Sequence, residues 1–148
     1  MLKTLIIIGG YLHLATLLGS AQVPKEMKFK EELPKLNRLL QHWVWTAGGY
    51  IVLNIVAFAL ASLLLAEQLV SGTVLARSIC GYIAVFWGIR LWIQLFVFDA
   101  EEYLRNWFLR LGFHGLTLVF AYHTVVYGYA ALWAVSYTHL TLPTIYSV

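Results

Sequence analysis

Residues Trp43–Ala66 read WVWTAGGYIVLNIVAFALASLLLA, 24 positions without a charged side chain. A helix rises ~1.5 Å per residue, so this run is about 36 Å long and crosses the ~30 Å hydrocarbon layer of a bilayer. Three further stretches of the same kind, residues 2–21, 75–98 and 113–134, take up most of the remaining chain. Only helices and closed barrels satisfy every backbone group in lipid, and runs of this length are helical. The expected fold is all-α, an integral membrane bundle of four transmembrane helices forming one domain over residues 1–134.

Composition agrees, because a chain that is 61% hydrophobic and 11% charged lies outside soluble usage. The net charge of +3 comes from loop residues and not from a basic face with interleaved aromatics, so no nucleic-acid partner is expected. Cys80 is the sole cysteine, which excludes an internal disulfide and any CxxC redox or zinc motif. No acidic residue lies within a span, which argues against proton-coupled cation export, and HExxH, GxSxG and Gly-rich phosphate loops are missing.

Loop charges set the expected orientation. Lys25, Lys28, Lys30, Lys35, Arg38, Arg105 and Arg110 fall in the first and third loops, against Lys3 and Arg77 on the other side. The positive-inside rule then places both termini outside the cytoplasm. A competing reading takes Lys3, the first apolar run, Gly19 and Ala21 as a secretory signal peptide cleaved before Gln22. Cleavage would leave the basic first loop on the outer side, against the charge rule. Within that loop, Leu36, Leu39, Leu40 and Trp43 recur at helical spacing after Pro34, as in a surface helix leading into the second span. Trp43, Trp45, Trp107, Phe108 and Trp133 suit the two interfaces as anchors.

The end of the chain reads differently. Val135–Thr144 back-translates as GTC TCT TAT ACA CAT CTG ACG CTG CCG ACG, which resembles a transposase adapter used in sequencing libraries, and the match continues to Val148. Residues 135–148 are therefore expected to be translated adapter and not native chain, with no function for His139 or Pro143.

Polar residues inside the spans indicate the packed faces. Gly9, Gly10, His13, Thr16 and Ser20 make one small and polar stripe on the first span. On the second, Ala47, Tyr50, Asn54, Ala57 and Ala61 share a face, which points Asn54 into the bundle. On the third, Phe86, Arg90, Gln94 and Val97 lie together with Trp87 at their edge, and Gly81, Ala84 and Gly88 lie opposite; either face can be the packed one. On the fourth, Leu116, Val119, Phe120, His123, Tyr127 and Ala130 align, with His123 turned inward because lipid exposure is costly.

By depth, His13, Asn54 and His123 fall near mid-span, and Arg90 lies toward the third loop. The ordinary reading of this layer is structural: Asn54, Gln94 and Tyr127 are packing residues, the histidines bond neighbouring helices, and Arg90 snorkels or pairs with Asp99 or Glu102. The sharper reading is one b-type haem with His13 and His123 as axial ligands and Arg90 near a propionate. A second haem layer fails, because His114 and His123 are nine residues apart and point to opposite faces, and both His42 and His114 sit at wet span ends. A third reading makes Arg90 a binding point for an anionic lipid or a quinone. The run Asp99-Ala100-Glu101-Glu102 reads as a solvated loop or helix cap before a metal site.

The run Gln41-His42-Trp43-Val44-Trp45-Thr46-Ala47-Gly48-Gly49-Tyr50, with Arg90-Leu91-Trp92-Ile93-Gln94 and Phe98-Asp99, resembles small bacterial four-helix membrane proteins. That resemblance implies the bacterial inner membrane and brings no reaction, cofactor or site. The expected role is non-enzymatic: a structural or interaction subunit whose partners are the bilayer and either a membrane protein or further copies of itself.

Overall fold

The computed structural model of the chain describes residues 1–98 and 106–138, with side chains described through residue 133. The described residues form helices joined by turns, with no strand among them: α1 (Leu2–Ser20), α2 (Val23–Glu26), α3 (Phe29–Glu32), a 3-10 turn (Leu33–Lys35), α4 (Arg38–Leu64), α5 (Ala66–Leu69), α6 (Val74–Phe96) and α7 (Trp107–Thr138). Four of them, α1, α4, α6 and α7, are long and apolar enough to cross a membrane.

Two of the long helices begin earlier than their apolar runs. The second span was expected from residue 43, yet α4 starts at Arg38, where the Asn37 side chain accepts the Leu40 backbone N–H at 2.8 Å. An N-cap and backbone bonding set a helix end, whereas hydropathy marks only the part suited to lipid. The surface helix expected after Pro34 is thus the opening of α4. For the same reason α7 starts at Trp107 rather than 113. Thr73 caps α6 by accepting the Ala76 N–H at 3.2 Å, after a turn in which Gly72 adopts a φ of 75° that side chains resist.

Helix α1 lies centrally, with α4 on one side and α7 on the other, and α7 packs along α6. Four residues of its expected stripe, Gly9, Gly10, His13 and Thr16, are buried together with Ile6, while the fifth, Ser20, is half-buried. Gly9 permits the approach of α7, since a Cβ there would stand 2.7 Å from the Tyr127 hydroxyl oxygen. On α7 the buried line runs through Phe120, His123, Tyr127 and Ala130 of the expected face, while Leu116 and Val119 are half-buried.

The face assigned to the second span is corrected. Helix α4 buries Ile55, Phe58, Ala59 and Ser62, while Tyr50 and Ala57 look outward and Asn54 is half-buried at the rim. In a run where nearly every residue is apolar, one amide was a poor guide to the inner side. The amide instead donates to the Tyr50 carbonyl at 2.9 Å and accepts the Tyr82 hydroxyl at 3.3 Å. The third span resolves as a compromise between its two candidate faces, burying Ala76, Cys80, Ile83, Trp87 and Gln94. Trp87, placed at an edge by the sequence, is central.

Packing is uneven along the bundle axis. The second half of α4 is embedded, whereas its first half stands clear, with Trp43 70% exposed and nothing within 4 Å of a Cβ built on Gly48 or Gly49. At the tight end, Lys3 pairs with Glu67, and Arg77 donates to the Ala131 carbonyl at 2.9 Å. The open end carries Lys25, Lys28, Lys30, Lys35, Arg38 and Arg110, all exposed.

Candidate functional site

The two imidazoles of the first and last long helices meet in the centre of the bundle. His13 and His123 are both fully buried, with ring centroids 3.9 Å apart and planes inclined at 65°. Their partners fix the proton positions. The Trp87 indole is only a donor, and its N–H points at His13 Nε2 at 2.9 Å, so the His13 proton sits on Nδ1. That N–H donates to the Gly9 carbonyl at 2.7 Å. His123 Nδ1 lies 2.7 Å from the Val119 carbonyl, which can only accept, so His123 also carries its proton on Nδ1. Its Nε2 is left as an acceptor, 3.1 Å from the His13 Nδ1 donor and 3.2 Å from the Gly9 oxygen. One His13 N–H is thereby shared between the Gly9 carbonyl and the second imidazole. All four ring nitrogens have partners within the protein.

Aromatic contacts enclose this pair. Trp87 stacks on His123 at 4.9 Å and on Phe120 at 5.0 Å, and the Tyr127 ring lies parallel to His123 within 5°. Phe58 meets the edge of His13 at 5.8 Å. Below them runs a second short chain: Ser62 donates to the Phe58 carbonyl at 2.7 Å, which commits its proton, so the Tyr127 hydroxyl donates to Ser62 Oγ at 2.5 Å. Buried polar groups of this kind rigidify a core when every member is satisfied.

Arg90 is separated from the pair by the stacked rings of Phe120 and Trp87. Its guanidinium carbon stands 5.1 Å from the Phe120 centroid and 5.0 Å from that of Phe98, held between two aromatic faces. Its Nη1 is buried and has no hydrogen-bond partner. Asp99 and Glu102, the expected partners, and the candidate metal run that begins at Asp99, lie outside the described residues. Gln94 is buried at 4% exposure one turn further along α6.

The structure therefore joins His13, His123 and Tyr127, places Arg90 and Gln94 nearby, and leaves Asn54 out. His42 and His114 are exposed, as expected for span ends. Sequence reasoning missed the roles of Trp87, Phe58 and Ser62. For Ser62 a signal existed, since Ile55, Phe58, Ala59 and Ser62 follow i, i+3, i+4, i+7 spacing.

Axial haem ligation does not fit this arrangement. Metal–imidazole bonds of about 2.0–2.1 Å would set the two ligating nitrogens roughly 4 Å apart, with a porphyrin plane between the rings. Here nitrogens of the two rings are 3.1 Å apart, and His13 Nε2 is occupied by the indole. Among the described residues there is no group of three or more His, Cys, Asp or Glu able to hold a metal ion. Cys80 is buried, with its thiol 3.8 Å from the Leu69 carbonyl. No family model, curated protein or solved structure matches the chain.

Proposed function

We propose that this chain is a four-pass protein of the bacterial inner membrane, with both termini outside the cytoplasm, acting as a non-enzymatic structural or interaction subunit. The observation that carries this reading is the closed bonding of the central imidazoles. A catalytic or ligand-binding histidine needs a ring nitrogen free to face its substrate. His13 and His123 spend all of theirs on Gly9, Val119, Trp87 and each other. Buried polar groups in a span are expensive unless paired, and paired ones fix which helices meet and in what register. On this reading the layer is a specificity device for assembling α1, α6 and α7.

The experiment is a pair of absorption spectra, oxidised and dithionite-reduced, of the full chain expressed with haem supply and purified in detergent. A featureless visible region is expected. A Soret band that disappears in both His13→Ala and His123→Ala would overturn the structural role and make the protein a b-type electron carrier.

A further inference from the structure

Arg90 is an always-charged group to which the described residues offer two aromatic faces, and its Nη1 has no hydrogen-bond acceptor among them. A guanidinium has five N–H donors and does not lose its proton. Phe98 and Phe120 attract the charge through their faces but accept no conventional hydrogen bond, and Nη1 stays without a partner. The two salt bridges among the described residues, Lys3–Glu67 and Lys35–Glu32, leave Arg90 out.

From the membrane reading proposed above, we infer that Arg90 binds the phosphodiester of an anionic phospholipid in the leaflet at the open end of the bundle. Depth supports this. Arg90 is six residues before the end of α6 at Phe96, or about 9 Å along the axis, within reach of the headgroup layer for a long cationic side chain. Surface chemistry supports a lipid over a free anion. Val97 and Phe98 are 57% and 53% exposed beside the guanidinium and offer apolar surface to an acyl chain, which inorganic phosphate does not use. Charge supports an anionic headgroup. The first loop at that end carries Lys25, Lys28, Lys30, Lys35 and Arg38 against Glu26, Glu31 and Glu32, a basic excess that suits such a headgroup, whereas in the third loop Asp99, Glu101 and Glu102 outweigh Arg105 and Arg110 by one. The planar fork of the guanidinium matches two phosphate oxygens, and its flanking rings hold that plane in place.

The test uses the full chain in nanodiscs or mild detergent, titrated with phosphatidylglycerol, with phosphatidylcholine and with inorganic phosphate, read by thermal unfolding and native mass spectrometry. Phosphatidylglycerol is expected to stabilise and remain bound, phosphatidylcholine to do so at least about tenfold more weakly, and inorganic phosphate not to shift the unfolding. Arg90→Gln is expected to remove the preference; Arg90→Lys, which keeps the charge without the fork, to retain part of it; and Lys25→Gln/Lys28→Gln/Lys30→Gln to leave most of it. An undiminished preference in Arg90→Gln overturns the inference, and so does stabilisation by inorganic phosphate equal to that by lipid. If Asp99→Asn or Glu102→Gln increases lipid binding as much as Arg90→Gln reduces it, Arg90 is an internal ion-pair partner and the inference fails. Resistance to alkaline carbonate extraction, measured on the same membranes, tests the membrane reading separately.

Discussion

Replacing Gly9 by alanine should destabilise the protein, although alanine is the better helix former. A Cβ at position 9 would lie 2.7 Å from the Tyr127 hydroxyl oxygen and 3.1 and 3.2 Å from two of its ring carbons. Favourable carbon contacts begin at about 3.5 Å. Tyr127 has little room to withdraw, being fully buried, bonded to Ser62 at 2.5 Å and parallel to His123. Overpacking of a tight core costs about 1–3 kcal/mol. If the ring yields and its hydroxyl loses Ser62, a further ~1–3 kcal/mol is lost. Against this, Gly→Ala in a helix contributes about 0.5–1 kcal/mol. The balance is destabilisation by up to about 2.5 kcal/mol if the ring holds its place, and by about 1–5.5 kcal/mol if the Ser62 bond is lost as well. Gly49→Ala provides the comparison, because nothing lies within 4 Å of its added Cβ and only the helical gain remains. Unfolding by heat or SDS in detergent, followed by tryptophan fluorescence, should move in opposite directions for the two variants. A Gly9→Ala protein as stable as the parent, or shifted like Gly49→Ala, would refute the close approach of α1 and α7.

Trp87→Phe keeps most of the ring stacking but strands the His13 Nε2 acceptor, so a loss of about 1–3 kcal/mol is expected in the same unfolding assay, much reduced when His13 is already Leu. Orientation can be read by labelling intact cells with a membrane-impermeant maleimide: Gln68→Cys should react and Lys30→Cys should not, while the fully buried Cys80 gives no background. The reverse pattern would invert the topology. The Lys3 ammonium holds the Glu67 carboxyl below its ordinary range through their hydrogen bond. A lowered folded-state value stabilises above the unfolded carboxylate range and is lost as pH falls through the folded value. The stability gap between parent and Glu67→Gln should therefore be small at neutral pH, since the pair is exposed, and vanish in acid; a gap that widens in acid would contradict the pairing.

The four long helices were legible because each is written in the sequence as an apolar run of about 20 residues or more, long enough to cross a bilayer. The inward faces of α1 and α7 were also legible, because Gly9, Gly10, His13 and Thr16 on one helix and His123 on the other break an otherwise apolar surface. That cue misled on α4. Asn54 can satisfy its amide locally, on Tyr50 and Tyr82, and so had no need of the interior. Trp87 shows the opposite limit. A tryptophan in a span reads equally as lipid-facing or buried, and only the acceptor on His13, 74 residues away, selects the inside. The bonding direction of the His13 imidazole was beyond sequence reasoning for the same cause, since its proton position depends on the Trp87 indole of another helix.

The contact between His13 and His123 also imposes an order on biosynthesis. The two residues are 110 positions apart. At about 5–20 residues per second, the first imidazole is made roughly 6–20 s before the second. The stripe on α1 is therefore complete while the helix that will receive it does not yet exist. During that interval α4 and α6 are its available neighbours: Phe58 is the first ring that can meet His13, and Trp87 the first group of another helix that can hydrogen-bond it. Any condition that halts translation before α7 emerges leaves a three-helix intermediate in which Gly10 can already be covered by Leu63 and Ser62 of α4, while the Gly9 surface that receives Tyr127 stays open.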